Sequence, residues 1–166
     1  MDTHQNFIIG ETPRHEIHEK GLLHREVHIW LYNDKSEIIF QKRAEDKDTF
    51  PGLLDASIGG HVEIGETYEE TAVKEAEEET GLKINPEDLK LVTTIRHTAH
   101  DEITGKINNV IRRIYVYEYN GPISELKIEQ GKATGFEAVK IDSLFDMSEE
   151  EKKKFIPIFF EEENQK

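Results

Sequence analysis

The chain has 166 residues, with 21 Lys and Arg against 35 Asp and Glu, and a formal net charge of -14. That balance excludes a nucleic-acid polymer as partner, because neutralising phosphates takes clustered Lys and Arg. The lack of any cysteine excludes disulfides, thiolate zinc sites and a cysteine nucleophile.

With 36% hydrophobic residues the chain can bury a core, and it reads as a single domain over residues 1-166. The opening MDTHQNFIIGETPRHE has no basic start and no long apolar run, so no signal peptide is expected. No stretch approaches the roughly 20 apolar residues of a membrane span, so a cytoplasmic domain without a membrane partner is expected.

Residues 25-32, REVHIWLY, alternate as a strand with Val27, Ile29 and Leu31 on one face. Trp30 and Tyr32 alternate with them, open to base stacking or to core or dimer packing. Asn33-Asp34-Lys35 makes a turn into a second strand, residues 37-43, which completes a hairpin. Lys42 and Arg43 point to opposite faces, and Arg43 is the candidate phosphate contact. A short strand over residues 57-62 runs into glycines. A helix follows from Thr67, a suitable N-cap, to Thr80, with Gly81 as its stop. Further strands are expected near 89-97, 109-119 and 134-141, the last burying Phe136, Ala138 and Val139. Arg112-Arg113 reads as an exposed strand edge. A final helix is expected from about Ser148 to Glu162, opened by a Ser148/Glu151 capping box and kinked or broken at Pro157. His15/His18 and His97/His100 have helical ligand spacing but fall outside any expected helix, so they read as surface residues. Strands mixed with two helices indicate an α/β or α+β sandwich.

Between Glu63 and Glu79 lie eight glutamates and one basic residue, Lys74. At about 100° per residue, Glu75, Glu78 and Glu79 share one helix face. Ala72, Val73, Ala76 and Thr80 occupy the neighbouring face, suited to packing on a sheet. Glu75 and Glu79 form an i,i+4 like-charge pair that costs roughly 0.2–0.5 kcal/mol. The helix dipole disfavours anions near its C-terminal end by about 0.3–1 kcal/mol each. A solvated acidic face bears these penalties, whereas a bound cation removes them. Both readings stay open on spacing alone. If an ion binds, hard carboxylate oxygens without thiolates favour Mg²⁺ or Mn²⁺ over zinc.

Gly60, five residues, Glu66, seven residues, then Lys74-Glu75-Ala76-Glu77-Glu78-Glu79-Thr80-Gly81-Leu82 resembles the Nudix box, here residues 60-82. The pattern departs at Lys74, where the box has arginine. The resemblance implies a Nudix-type α/β/α sandwich with a mixed β-sheet and a catalytic loop-helix-loop. It also implies hydrolysis of a diphosphate linked to another moiety, usually a nucleoside, with Mg²⁺ as cofactor and Mn²⁺ as a possible substitute. Carried over position by position, the Gly60 carbonyl and the carboxylates of Glu75 and Glu79 hold the ion. Glu78 is a ligand or orients the attacking water, and Glu66 braces the loop. Lys74 pairs with box carboxylates, keeping the charge of arginine without its fork. A further glutamate comes from a later loop in many members, and Glu118, Glu129 and Glu137 are the candidates. His61 could face the phosphates.

Residues 18-30, Gln41-Lys42-Arg43 and residues 47-55 are similar to the branch that includes isopentenyl-diphosphate isomerase. His24 and His61 match metal histidines of that enzyme. Its catalytic cysteine, however, is replaced in Ser57-Ile58-Gly59, and its glutamate pair in Asn108-Asn109-Val110. A hydrolase is therefore expected over an isomerase. A non-catalytic ligand sensor on the same fold is the other alternative, against which stand the four retained box glutamates. The expected partner is a small phosphorylated substrate, with the protein a monomer or homodimer.

Overall fold

The computed structural model describes residues 14–47, 50–100 and 102–156. Strand β1 (Leu23–Tyr32) is its spine. Val27, Ile29 and Leu31 are fully buried on one face, and strand alternation sends His24, Glu26, His28 and Trp30 to the other. β6 (Ile107–Glu118) runs parallel to β1 from Leu23↔Asn109 to Tyr32↔Glu118. β5 (Lys90–His100) pairs antiparallel on the far side of β6. The other edge of β1 is shared. β2 (Glu37–Arg43) pairs with Leu31 and Tyr32, and β4 (Ile58–His61) pairs with residues 26–29. β3 (Leu54–Asp55) and β7 (Ala133–Lys140) both pair with β2, which makes a mixed sheet of seven strands.

Backbone groups at the fork between β2 and β4 need partners, because buried amides are costly to leave unpaired. Fully buried Ser57 supplies them: its hydroxyl accepts the Leu31 N–H at 2.8 Å and donates to the Ile39 carbonyl.

Helix α2 (Tyr68–Thr80) carries the acidic run. The Thr67 hydroxyl accepts the Glu70 N–H at 3.1 Å, and the Glu70 carboxylate accepts the Thr67 N–H at 2.9 Å. Gly81, at φ 77°, closes the helix. Its Tyr68, Ala72 and Ala76 pack on Val27, Ile29, Leu31, Ile39, Ile58 and Tyr115. On the opposite face Phe40, Leu54 and Phe155 meet Leu144 of a short helix over Ile141–Phe145, with Trp30 edge-on to Phe40 at 5.3 Å. Helices thus cover both faces of the sheet, as expected, and Trp30 is a core residue. Phe136 and Ala138 join the first cluster and Val139 the second.

The C-terminal helix is shorter than expected. It spans Glu149–Lys152, with the Ser148/Glu151 capping box in place. The chain then turns to bury Phe155 against Phe40, ring centroids 4.9 Å apart. Leu54 bonds the Lys154 carbonyl at 2.7 Å and the Ile156 N–H at 2.9 Å. Seating Phe155 in the core outweighs one more turn of an exposed Glu/Lys-rich helix. Pro157 and Glu162 lie outside the described residues. A helix absent from the sequence reading, α1, spans Arg14–Lys20; the side chains of its His15 and His18 also lie outside the described residues. His97 and His100 belong to β5, where an odd separation places them on opposite faces.

Arg112-Arg113 is no exposed edge, because β6 lies between β1 and β5. Arg112 is 3% exposed and pairs with Glu26 through Nε at 2.9 Å and Nη2 at 2.8 Å. Burial alone raises the Glu26 carboxyl, but Arg112, His28 and His61 outweigh it and bring it down to about 2. Burial, reinforced by Arg112, lowers the His28 imidazole to about 4. A lowered carboxyl stabilises the fold above its unfolded value of 4.5 and loses that contribution as pH falls towards 2. A lowered histidine favours unfolding as pH drops from 6.5 towards 4. Stability is therefore expected to decline steadily in acid, by roughly 3 kcal/mol for the Glu26 part alone. Urea midpoints across this range test it. Glu26→Gln should give a shallower decline below pH 4.5, and equal slopes would contradict the assignment.

Candidate metal and catalytic site

The last turns of α2 lie against β4. Glu79 is fully buried, and its Oε2 accepts the Gly59 N–H at 2.9 Å. Glu75 is half-buried against Gly60. A Cβ at Gly60 would stand 2.6 Å from Glu75 Cγ and Cδ, so only glycine leaves room for that carboxylate. Glu78, the third residue of the face, is exposed. Burial raises the Glu75 carboxyl, and the negative charges of Glu78 and Glu129 push it further, while Lys132 and Lys74 pull the other way.

Antiparallel pairing decides which backbone carbonyl faces this cluster. The Val62 N–H bonds the Arg25 carbonyl at 3.0 Å. Alternation from that bond makes Val27↔Gly60 a hydrogen-bonded pair and turns the Gly59 N–H and C=O outward. Gly60, the carbonyl ligand expected from the sequence, thus directs its C=O into the ladder. The outward carbonyl belongs to Gly59, one residue earlier, and Gly60 contributes the space that Glu75 occupies.

Two side chains from a single turn complete the cluster. The Glu129 carbonyl accepts the N–H groups of Lys132 and Ala133, both at 3.2 Å, with Gly131 at φ 80° between them. Lys132 Nζ donates to the Gly59 carbonyl at 3.0 Å and forms an ion pair with Glu79 Oε1. Glu129 Oε2 is buried and accepts no hydrogen bond from the described residues. Its charge acts on Glu75, which separates it from the other two loop candidates: Glu118 and Glu137 are exposed on β6 and β7. The sequence reading missed Lys132. Only its place three residues after Glu129, across a glycine, hinted at a shared turn.

Lys74 pairs with one box carboxylate, that of Glu66. Nζ reaches both Glu66 oxygens, at 2.8 and 3.1 Å, and the Thr71 hydroxyl donates to Glu66 Oε2 at 2.7 Å. These hydrogen bonds, led by that from Lys74, lower the Glu66 carboxyl; donating to Glu66 raises the Lys74 ammonium. The loop before α2 is thereby tied to the helix with lysine in place of arginine.

The remaining candidates lie elsewhere. His61 pairs across the strands with Glu26 and lies against His24, ring centroids 4.6 Å apart and planes tilted by 48°, on the sheet face opposite α2. Arg43 bonds Asp55 at 3.0 Å.

Among the described residues no three His, Asp or Glu side chains form a group able to hold a metal ion. The donor chemistry nevertheless fits one. Two carboxylates and an outward carbonyl are hard oxygen donors, and a cationic group already bridges the carbonyl and Glu79. Among the described residues no helix is long and apolar enough to cross a membrane.

A NUDIX domain model matches residues 22–159. The chain is 34% identical over 140 residues to a Nudix hydrolase of Clostridium acetobutylicum, covering 82% of this chain and 66% of that one. It is 36% identical over 115 residues to Nudix hydrolase 3 of Arabidopsis thaliana, covering 67% and 14%. It thus spans less than two thirds of the length of either relative. A MutT protein from Methanosarcina mazei superposes with a TM-score of 0.59 at 20% identity, covering 87% of this chain and 96% of that one. The Nudix domain of Shewanella oneidensis NrtR, complexed with ADP ribose, does so at 0.57 and 14% identity, covering 82% and 89%. These two structures share the fold. The matched model takes in all seven strands of the sheet and the acidic helix α2, and the chain belongs to the Nudix family.

Proposed function

We propose that this chain is a divalent-metal-dependent hydrolase of a diphosphate linked to another moiety, of the nucleoside-diphosphate type. The observation that carries the reading is the pairing of a fully buried Glu79 carboxylate with an outward Gly59 carbonyl, both facing a positive group. Glu79, Glu75 and the Gly59 carbonyl would hold Mg²⁺ or Mn²⁺, with exposed Glu78 on the solvent side of the same helix face. Bound there, the ion supplies neutralising charge for the diphosphate and a water of lowered pKa. Glu129, half-buried, with its charge acting on Glu75 and an oxygen that has no hydrogen-bond partner among the described residues, would accept the proton of the attacking water. Glu66 and Lys74 keep the loop before α2 in register while the diphosphate is held.

The test is phosphate or nucleotide release from a panel of nucleoside diphosphates, triphosphates and diphosphate conjugates. ADP-ribose belongs in the panel because the Shewanella neighbour was solved with it. Turnover of at least one member, abolished by EDTA, is expected. Turnover indifferent to EDTA would overturn the metal-dependent reading, and tight binding without turnover would make the chain a sensor. On the best substrate, Glu129→Gln is expected to lower kcat by about 10²-fold with little change in KM, the scale of losing a general base.

A further inference from the structure

The ammonium of Lys132 stands where the proposed ion would stand. Nζ takes the Gly59 carbonyl at 3.0 Å and Glu79 Oε1, two of the oxygens assigned to the metal. Glu79 is fully buried, whereas the Lys132 side chain is 32% exposed. One partner is therefore fixed and the other has a way out. The lysine backbone is pinned: its carbonyl accepts the Ala44 N–H at 3.0 Å and its N–H bonds Glu129 at 3.2 Å. What can move is the flexible four-carbon stem, which carries a compact point charge.

We propose that Lys132 is a tethered cation that occupies the metal position in the empty protein and must swing out before that position loads. This rests on the metal-site reading above. An ammonium and a divalent ion cannot share the same carbonyl and carboxylate oxygen, since like charges at contact distance repel strongly. A buried carboxylate without any counter-charge is costly, so the lysine keeps the empty site folded. Whatever stabilises the empty form against the loaded form weakens ion binding by the same factor. Lys132 is thus a positioning residue that sets metal affinity, and removing its charge should tighten binding. A salt bridge that merely braced the ligands would give the opposite sign.

The test is Mn²⁺ titration of the metal-free, full-length protein, following the free-ion electron paramagnetic resonance signal. Lys132→Met keeps the length of the stem and drops the charge. It is expected to lower the Kd for Mn²⁺ at least 10-fold. It should also melt lower than wild type without metal and gain more in Tm on saturation, whereas Lys132→Arg stays near wild type. Unchanged or weaker Mn²⁺ binding by Lys132→Met, with Glu79→Gln still abolishing it, overturns the proposal and leaves the metal site standing. Mn²⁺ binding indifferent to Glu79→Gln overturns the metal site and the proposal together. A readout on unaltered protein guards against a variant that fails to fold. The Lys132 ε-methylene resonance, assigned by its loss in Lys132→Arg, should shift on saturation with diamagnetic Mg²⁺; a resonance that stays in place also overturns the proposal.

Discussion

Glu79→Gln is expected to cut hydrolysis by about 10³-fold, the equivalent of roughly 4 kcal/mol of transition-state stabilisation, while KM changes far less. The substitution is nearly isosteric, and glutamine can still offer an oxygen to the Gly59 N–H that Glu79 Oε2 now accepts. Its amide then occupies the position of Oε1, and two donors face each other where a carboxylate faced the Lys132 ammonium. The loss is one of charge and acceptor capacity at a fully buried position, where solvent cannot compensate. The same mismatch should destabilise the metal-free fold by about 1–3 kcal/mol. Steady-state kinetics at saturating Mg²⁺, beside thermal melts in EDTA, separates the two effects. Activity within tenfold of wild type would remove Glu79 from the site.

Gly60→Ala is the second large effect, and its cause is space. Gly60 has no positive φ, so its backbone accepts alanine. The added methyl, however, would meet the Glu75 side chain at 2.6 Å and Glu75 Oε1 at 2.8 Å. Either the carboxylate swings away or β4 parts from α2, at a cost of about 1–3 kcal/mol. With the box helix capped at both ends and packed through Ala72 and Ala76, the side chain is the softer element. The expected result is a folded protein with a modestly lower Tm and kcat/KM down about 10²-fold, since small misplacements of reacting groups are costly. Gly59→Ala is the control on the neighbouring residue. Its methyl would meet His28 at 3.1 Å on the other face of the sheet, so a smaller kinetic loss is expected. Equal losses from both substitutions would contradict the assignment of Gly60 to Glu75.

The local features of this fold were legible in the sequence. Alternation in residues 25-32 gave the buried set Val27, Ile29 and Leu31, and Thr67 and Gly81 mark both ends of the acidic helix; the Glu70 half of its capping box showed only in the structure. Less visible was anything set by a partner far along the chain. Arg112 looked like surface until Glu26, 86 residues earlier, proved to lie beside it. Glu129 had no diagnostic spacing, and Lys132 no signal beyond its neighbour, because their significance lies in a turn that folds back onto a strand 73 residues before it. The exchange of Gly60 for Gly59 as the outward carbonyl follows from hydrogen-bond parity, which the order of residues does not encode until a partner strand is chosen. The C-terminal helix failed because local preference met a buried phenylalanine, and the tertiary contact prevailed.

Strand β4 pairs with β1 on one side only. Unpaired strand edges are where protein chains add to one another and aggregate, and natural proteins guard them with charge or cover. Here the outward N–H and C=O of Gly59 are taken by Glu79 and Lys132, and the Glu75 carboxylate lies against Gly60. The groups assigned to chemistry therefore also keep this margin from serving as a template for a neighbouring molecule.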